Sequence, residues 1–251
     1  RKSLKAALAE LKSQEVDIPM WINGEAVRTG DKQRIHPPHE IKHTLGYFHK
    51  GTSANVEAAI ASCLAAKHDW EFMPMEQRAA IFLRMAELLA GPYRFLINAS
   101  TMLGQSKNSF QAEIDAACEL IDFLKFNVQY ADGIYREQPE SLPLTWNRSE
   151  YRALEGFIFA LTPFNFTSIC ANLACAPAMM GNTVVWKPAN TQIYSASVFM
   201  QILREAGLPD GVINLVYVSG PTAGEAIFSH RDFAGIQFTG STGVFQGMWK
   251  T

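Results

Sequence analysis

The 251-residue sequence has few cysteines and no large excess of charge of either sign. Its four cysteines are scattered, without the CxxC or Cys/His spacing of a metal site, which predicts reduced thiols in a reducing compartment. A net charge of −2 gives no electrostatic basis for binding nucleic acid or an anionic membrane surface. Since 48% of the residues are hydrophobic, the chain can bury a sizeable core.

Long hydrophobic runs are also lacking. No segment has the about 18 uninterrupted apolar residues that a membrane helix needs, and no signal core lies near the start. The sequence begins with Arg1 rather than Met, which leaves room for an upstream presequence. The G-x-G-x-x-G fingerprint is absent as well, so the usual sequence argument for a bound dinucleotide does not apply.

The first part of the chain is predicted to be mainly helical. Apolar periodicity indicates helices at residues 3–11, 55–70, 75–89, 94–103 and 109–131. Asn55 is the predicted cap of the second helix, and Asn23-Gly24 predicts a β-hairpin. The apolar face of the longest helix is predicted to comprise Ile114, Ala117, Cys118, Ile121, Leu124 and Val128. Most of its acidic residues are expected on a solvated face; they are Glu113, Asp115, Glu119 and Asp122.

A histidine-rich run covers residues 34–49. A metal site there is conceivable, but no cysteine or carboxylate cluster stands at ligand spacing, so a surface loop is the better interpretation. Cys63 and Cys118 lie in helical patterns and are expected to be small apolar core residues. We therefore predict no metal centre.

Strands and helices alternate after residue 152, following a Pro-containing segment at 133–152 that indicates an extended arm. The predicted strands cover residues 156–161, 183–187, 213–217 and 235–238. The predicted helices cover 168–180, 192–205 and 222–230, with another starting at Ser241. This alternation predicts an α/β fold with a Rossmann-like parallel sheet, in which right-handed crossovers place the helix starts at one edge.

Polar side chains follow the first two of these strands. Asn165 comes after residues 157–161 and lies between two aromatic residues, and Lys187 ends the next strand. Because open α/β sheets bind ligands outside the carboxyl ends of their strands, both should lie at one crevice edge. Two structural alternatives remain open: Asn165 could satisfy loop carbonyls, and Lys187 could extend from a strand end into water.

A glycine-containing turn, residues 238–243, connects the last strand to the last helix. Free N–H groups at such a helix start, together with the helix dipole, suit a pyrophosphate. A tight turn capped by Ser241 explains the same residues equally well. A second glycine-rich turn at residues 220–224 is a weak indication by itself.

Taken together, these motifs resemble the aldehyde dehydrogenase superfamily over essentially the whole chain. The segments occur in that family's order and spacing: PFNFTS, GNTVVWKPA, LREAGLPDGVINLV, GPTAGEAI and QFTGST. Within the family, Phe164 and Thr167 replace the tryptophan and proline of most members, and the QAEIDAA helix matches the glutamate semialdehyde (1-pyrroline-5-carboxylate) dehydrogenases. The resemblance implies NAD-dependent oxidation of L-glutamate 5-semialdehyde to glutamate in proline catabolism. The expected location is the mitochondrial matrix in a eukaryote and the cytoplasm otherwise.

The resemblance also implies residue roles. Asn165 would donate to the oxyanion of the thiohemiacetal and acyl-enzyme, Phe166 would contact the aliphatic chain of the substrate, and Glu113 its amino group. NAD would be bound by Thr162, Lys187 (at the adenosine ribose), Gly220, Gly240, Ser241, Thr242, Gly243 and Val244. One departure from the family pattern is Asn190. Many relatives have an acidic residue at this position, which binds the ribose together with the lysine.

The resemblance divides the chain into three segments. Residues 1–132 would be the helical part of the NAD-binding domain, 133–152 an oligomerisation arm that implies a dimer or higher, and 153–251 an incomplete Rossmann-like core. The catalytic domain, with the family's nucleophilic cysteine and its glutamate, would follow the FTGS turn, so the chain alone is expected to be inactive. Cys170 and Cys175 are poor substitutes, because nothing in the sequence places a base beside them. Two alternatives are a non-catalytic nucleotide-binding or dimerising module and part of a succinate semialdehyde dehydrogenase.

Overall fold

A six-stranded sheet organises the chain in the computed structural model, which describes residues 1–251. Its strand order is β3-β2-β8-β7-β6-β9, and the last four strands are parallel. The bounds are Met20–Ile22 (β2), Glu25–Val27 (β3), Phe157–Leu161 (β6), Thr183–Lys187 (β7), Ile213–Leu215 (β8) and Phe233–Phe238 (β9). The predicted parallel α/β sheet is confirmed. The hairpin at Asn23-Gly24, with φ of 52° and 73°, adds β2 and β3 to this sheet as antiparallel strands.

A second, three-stranded sheet lies in the histidine-rich run. It pairs β1 (Val16–Ile18), β5 (Gly46–His49) and β4 (Lys32–Ile35), so the surface-loop interpretation was wrong at the two ends of this run, while residues 36–45 between the strands form a loop. His49 is buried, and its Nε2 lies 3.0 Å from an Asp17 carboxylate oxygen. No group of three or more His, Cys, Asp or Glu side chains is arranged to hold a metal ion.

Ten α-helices surround the two sheets. They cover Lys2–Ser13 (α1), Ser53–Phe72 (α2), Met75–Ala90 (α3), Arg94–Gln105 (α4), Ser109–Ala112 (α5), Leu120–Arg136 (α6), Thr167–Met179 (α7), Ile193–Glu205 (α8), Gly220–Ile227 (α9) and Thr242–Trp249 (α10). Asn55 stabilises the start of α2 from its third position, in a capping box with Thr52, which is the N-cap itself. None of the helices is both long and apolar enough to cross a bilayer.

A π-helical turn, Glu113–Glu119, joins α5 to α6 and changes which residues face the core. The predicted apolar face is wrong at Ile114, which is half exposed, and at Cys118, which is exposed. Asp115, predicted to be solvated, is buried instead. A π turn widens the helix by one residue, so the spacing of an ideal α-helix cannot describe both halves.

The predicted arm begins later than expected, because α6 continues to Arg136 and the extended segment starts at Glu137. Its only strand-like pairing is a bridge between Leu142 and Thr145. Leu144 and Trp146 are largely exposed. The arm therefore carries apolar side chains that this chain itself does not bury.

Candidate functional site at the carboxyl edge of the sheet

Three parallel strands end side by side. Leu161, the last residue of β6, is in register with Lys187 of β7 on one side and with Phe238 of β9 on the other. The loops that follow therefore leave from the same edge of the sheet. The structure thus brings together the segments that contain Asn165, Lys187 and the 238–243 turn.

A cavity of about 510 Å³ opens beside this edge, between α9 and α10. Gly220 and Val244, both predicted to bind NAD, line it together with Leu161. A Cβ atom added at Gly220 or at Gly247 would meet no atom within 4 Å, so larger side chains there would extend into open space. The size and largely apolar lining of the cavity fit the adenine end of a nucleotide.

The turn before α10 has the geometry of a helix N-terminus. Ser241 is the N-cap, and its hydroxyl accepts from the N–H of Val244 at 3.4 Å. A Cβ atom at Gly240 would lie 2.5 Å from the Phe238 ring, whereas Gly243 has open space around it. Thr242 begins the helix. Ser241 therefore caps the turn and occupies the N–H of Val244, and the N–H groups of Thr242 and Gly243 are the ones left for an anion.

Lys187 is buried at the end of β7. The hydrogen bond of its ammonium is to the carbonyl of Pro188, at 3.4 Å, and no carboxylate pairs with it. Burial lowers the pKa of Lys187 because it removes water from the charged form. The alternative of a lysine extended into water is excluded. A buried cation with one weak partner suits a residue whose hydrogen bonds are completed by a ligand.

Replacing Lys187 by methionine should stabilise the folded protein by about 1 kcal/mol while weakening its affinity for NAD. Methionine keeps much of the volume and removes the cost of burying a poorly paired charge. Urea denaturation and NAD titration measure the two effects. Lys42→Met, which removes an exposed charge, is the control and should change neither.

The same substitution should alter the dependence of stability on pH. Because the folded pKa of Lys187 lies below its ordinary value of 10.5, the unfolded chain binds more protons in that interval. The stability contributed at this position therefore rises as the pH increases towards 10.5, and the Lys187→Met variant should lose that rise. A variant that is less stable than the parent at neutral pH would contradict the interpretation.

Thr162 does not face the cleft as predicted. Its side chain is buried, and its hydroxyl lies 3.1 Å from the Cys170 sulfur and accepts from the indole N–H of Trp186 at 3.3 Å. Its backbone N–H donates to the carbonyl of Lys187 at 3.2 Å. Thr162 is the first residue after β6, and these hydrogen bonds anchor the start of the Asn165 loop to the core.

Asn165 is exposed, and its side chain makes no hydrogen bond within the chain. The alternative that it satisfies loop carbonyls is therefore excluded. The backbone on both sides is nevertheless fixed. The hydroxyl of Thr191 donates to the carbonyl of Phe164 at 2.9 Å, and the N–H of Thr167 donates to the carboxylate of Asp115 at 3.0 Å. The loop thus presents a free amide on an anchored backbone.

Sequence reasoning missed Asp115 and Lys107. The Asp115 carboxylate accepts from the backbone and hydroxyl of Ser168, both at 2.9 Å, and from the Lys107 ammonium at 2.6 Å. It therefore caps α7, whose own N-cap residue, Phe166, offers no side-chain acceptor. The Lys107 ammonium also lies 4.2 Å from the centre of the Phe166 ring. No local pattern could separate Asp115 from the other acids around it.

The two predicted substrate contacts lie near this cap. Phe166 is partly exposed, as a contact for an aliphatic chain would be. The Glu113 carboxylate is already bound by the Arg94 guanidinium, whose Nε lies 3.0 Å away, and by the amide of Asn98. This pairing raises the pKa of Arg94. An amino group at Glu113 would therefore have to share the carboxylate with Arg94.

Comparison with known proteins identifies the family. Residues 21–251 match the model of the aldehyde dehydrogenase family. The chain belongs to that family. A delta-1-pyrroline-5-carboxylate dehydrogenase of Agaricus bisporus is 48% identical over 252 residues, which cover 100% of this chain and 46% of the relative. The mitochondrial human enzyme of the same name is 44% identical, with 100% of this chain and 44% of the relative covered.

Solved structures agree with this assignment. The delta-pyrroline-5-carboxylate dehydrogenase of Mycobacterium tuberculosis superimposes with a TM-score of 0.98 at 49% identity, covering 100% of this chain and 47% of that one. A structure of that enzyme bound with NAD superimposes with a TM-score of 0.97. The chain thus spans about half the length of the relatives it matches, and its fold is that of an aldehyde dehydrogenase.

The cysteines that follow Asn165 in this aldehyde dehydrogenase fold are not activated. Cys170 and Cys175 are both buried. Burial raises the pKa of Cys170 to about 12 and raises that of Cys175 as well. Neither thiol is therefore ionised near neutral pH, as a nucleophile requires.

Proposed function

We propose that this chain forms the NAD-binding part of a dehydrogenase that oxidises L-glutamate 5-semialdehyde to L-glutamate in proline catabolism. The observation that carries the proposal is the alignment of three strand ends, which groups the Asn165 loop, Lys187 and the glycine-lined cavity at one edge. The names of the relatives supply the substrate. In such an enzyme, bound NAD would accept the hydride from the aldehyde carbon.

The residues divide between the cofactor and the substrate. We assign the adenine to the cavity at Gly220 and Val244, the adenosine ribose to Lys187, and the pyrophosphate to the α10 start, formed by Gly240, Ser241, Thr242 and Gly243. In this assignment Thr162 anchors the start of the Asn165 loop and does not bind the cofactor. The amide of Asn165 would donate to the oxyanion that forms when the aldehyde is attacked. Phe166 would contact the aliphatic chain, and Glu113 the amino group.

The remaining segments have structural roles in the proposal. Residues 1–132 would complete the NAD-binding domain around the 153–251 core, to which the β2–β3 hairpin already adds two strands. The exposed Leu144 and Trp146 of the arm suit a contact with a second copy of the protein. Eukaryotic relatives are named as mitochondrial enzymes, which favours the mitochondrial matrix if the source is a eukaryote.

The substrate assignment is tested with the complete polypeptide that carries this chain. It should reduce NAD with glutamate 5-semialdehyde at a kcat/KM about 10- to 100-fold above that for succinate semialdehyde. The reason is that a charge-assisted contact to the amino group contributes about 1.5–3 kcal/mol. NADH absorbance measures both reactions.

Matched variants sharpen this test. Glu113→Gln should lower the ratio of the kcat/KM for glutamate 5-semialdehyde to that for succinate semialdehyde. Glu57→Gln, which removes a carboxylate on α2 instead, should leave this ratio unchanged. Equal kcat/KM for the two aldehydes would reject the substrate and keep the cofactor assignment. No binding of NAD would reject the whole proposal.

A further inference from the structure

A cluster of polar side chains is packed against the base of the Asn165 loop. Its centre is the hydroxyl of Thr167, the first residue of α7, which accepts from the amide of Gln105 at 2.7 Å. The same hydroxyl lies 2.9 Å from that of Thr101 and donates to Oε1 of Gln192 at 3.2 Å. Thr167 is 2% exposed, and Gln192 is fully buried. The proposed function gives this cluster no role.

The cluster connects the Asn165 loop to the segment that follows β7. Two of its members are on α4, and Gln192 comes from the short 3₁₀ turn after β7. This turn lies shortly after Lys187, which is assigned to the adenosine ribose. The residue before Gln192, Thr191, donates its hydroxyl to the carbonyl of Phe164 at 2.9 Å. Two adjacent residues of one segment thus hold the loop, one on each side of the Asn165 amide.

This arrangement costs stability. The Oε1 atom of Gln105 and the Nε2 atom of Gln192 are buried without a hydrogen-bond partner. Unpaired buried polar atoms lower the free energy of unfolding, so packing for stability alone would favour apolar side chains here. Sequences depart from such rules mainly at functional sites. The cluster therefore indicates a role in the site that lies next to it.

Oxyanion stabilisation places a strict demand on the Asn165 loop. A donor lowers the barrier only if it already lies where the charge develops, and a displacement of about 1 Å can cost about 100-fold in rate. The side chain of Asn165 makes no hydrogen bond within the chain. Its position relative to the cofactor is therefore set by its backbone, which Thr191 and Thr167 fix to the segment after β7.

We infer that Thr167 is a positioning residue, whose hydroxyl, bound to Gln192 and Gln105, fixes the Asn165 amide relative to the segment that follows β7. The inference rests on the proposed function, because it requires the oxyanion role of Asn165. Since Thr167 is buried, it acts through the loop and not by contact with a ligand.

Removal of the Thr167 hydroxyl from the complete polypeptide tests the inference. Thr167→Val keeps the shape of the side chain and should lower kcat about 10- to 100-fold, with the aldehyde KM and the NAD dissociation constant within about threefold. Thr167→Ser keeps the hydroxyl and should retain kcat within about threefold. The control is Thr183→Val, which removes the hydroxyl of another fully buried threonine, at the start of β7, and should leave kcat within about twofold.

A double variant shows whether Thr167 acts through Asn165. Asn165→Ala combined with Thr167→Val should have a kcat within about twofold of that of Asn165→Ala alone, because an amide that is absent cannot be displaced. If the losses in kcat of the two single variants multiply in the double variant, Thr167 acts independently of the amide and the inference is wrong.

Amide hydrogen exchange examines the loop without any cofactor or turnover. In Thr167→Val, the backbone N–H groups of residues 164–168 should exchange about three- to tenfold faster than in the parent, and those of β7 at the parent rate. Unchanged exchange in residues 164–168 would overturn the inference, because the hydroxyl would then not hold the loop.

The outcomes also separate the inference from the proposed function. Full kcat in Thr167→Val beside a large loss in Asn165→Ala would overturn the inference and keep the proposed function. Full kcat in Asn165→Ala would reject the oxyanion role and the inference with it. A parent-like NAD affinity and urea midpoint establish that each variant is folded, so a fall in kcat in such a variant reports on the loop.

Discussion

Replacing Asn165 by alanine should lower the turnover of the complete protein by about 10²- to 10³-fold and leave its affinity for NAD within about twofold. The loop that carries this amide is held by Thr191 on one side and Asp115 on the other, and the side chain itself is free. A donor on an anchored backbone can meet the developing oxyanion without reorganisation, which is the main source of such rate effects. Steady-state rates and NAD titration measure the two quantities.

Two further variants test the chemical basis of this prediction. Asn165→Asp keeps the shape, replaces the donor by a negative charge and should be at least as slow as Asn165→Ala. Asn147→Ala changes a partly exposed amide in the arm, which donates to the carbonyl of Glu140 at 2.8 Å, and should retain full turnover. If Asn165→Ala lost NAD affinity by the same factor as turnover, the residue would be a cofactor contact, and the oxyanion assignment would be wrong.

Replacing Arg78 by methionine should destabilise the protein by about 3–4 kcal/mol. Arg78 is 3% exposed and has no carboxylate partner. Its guanidinium instead donates to carbonyls at the end of α2, including that of Glu71 at 3.3 Å, and to Met179 at the end of α7 at 3.0 Å. Its removal would leave several buried carbonyls without donors.

Neighbouring positions on α3 supply the controls for Arg78. Arg84 lies on the same helix, is exposed and pairs with Glu87 at 3.2 Å, so Arg84→Met should cost less than about 0.5 kcal/mol. Arg78→Lys should lie between the two, because lysine keeps the charge but not the planar array of donors. The midpoint of urea denaturation measures all three. Equal shifts of the denaturation midpoint for Arg78→Met and Arg84→Met would contradict the role of Arg78 as a cap shared by the C-terminal ends of α2 and α7.

Regular elements could be predicted where local chemistry dominates. The strand Thr183–Lys187 was predicted to the residue, because a short apolar run between Gly-Asn and Pro leaves no other interpretation. The hairpin at Asn23-Gly24 was predicted equally well, since both residues adopt positive φ. The strands of the 34–49 run were missed because their stability comes from pairing between segments apart in the sequence: Gly46–His49 pairs with Val16–Ile18 on one side and with Lys32–Ile35 on the other.

The candidate site could likewise be predicted only in part. Strand ends can be recognised from sequence, so the sequence alone predicts Asn165, Lys187 and the Ser241 turn at one edge of the sheet. The cap at Asp115 could not, because it depends on a π turn that rotates an acidic residue from water into the core. The buried face of Thr162 could not either, since Trp186 reaches it from the neighbouring strand.

By itself, the sequence determined the alternation of strands and helices, the edge at which the loops meet and the membership of the aldehyde dehydrogenase family, because these depend on periodicity and on short motifs. Only the tertiary structure decided which polar groups have partners. It left the buried hydroxyl of Tyr217 without a partner, and it occupied Glu113 with Arg94. Hydrogen bonding between remote residues depends on packing, and packing is a property of the whole fold.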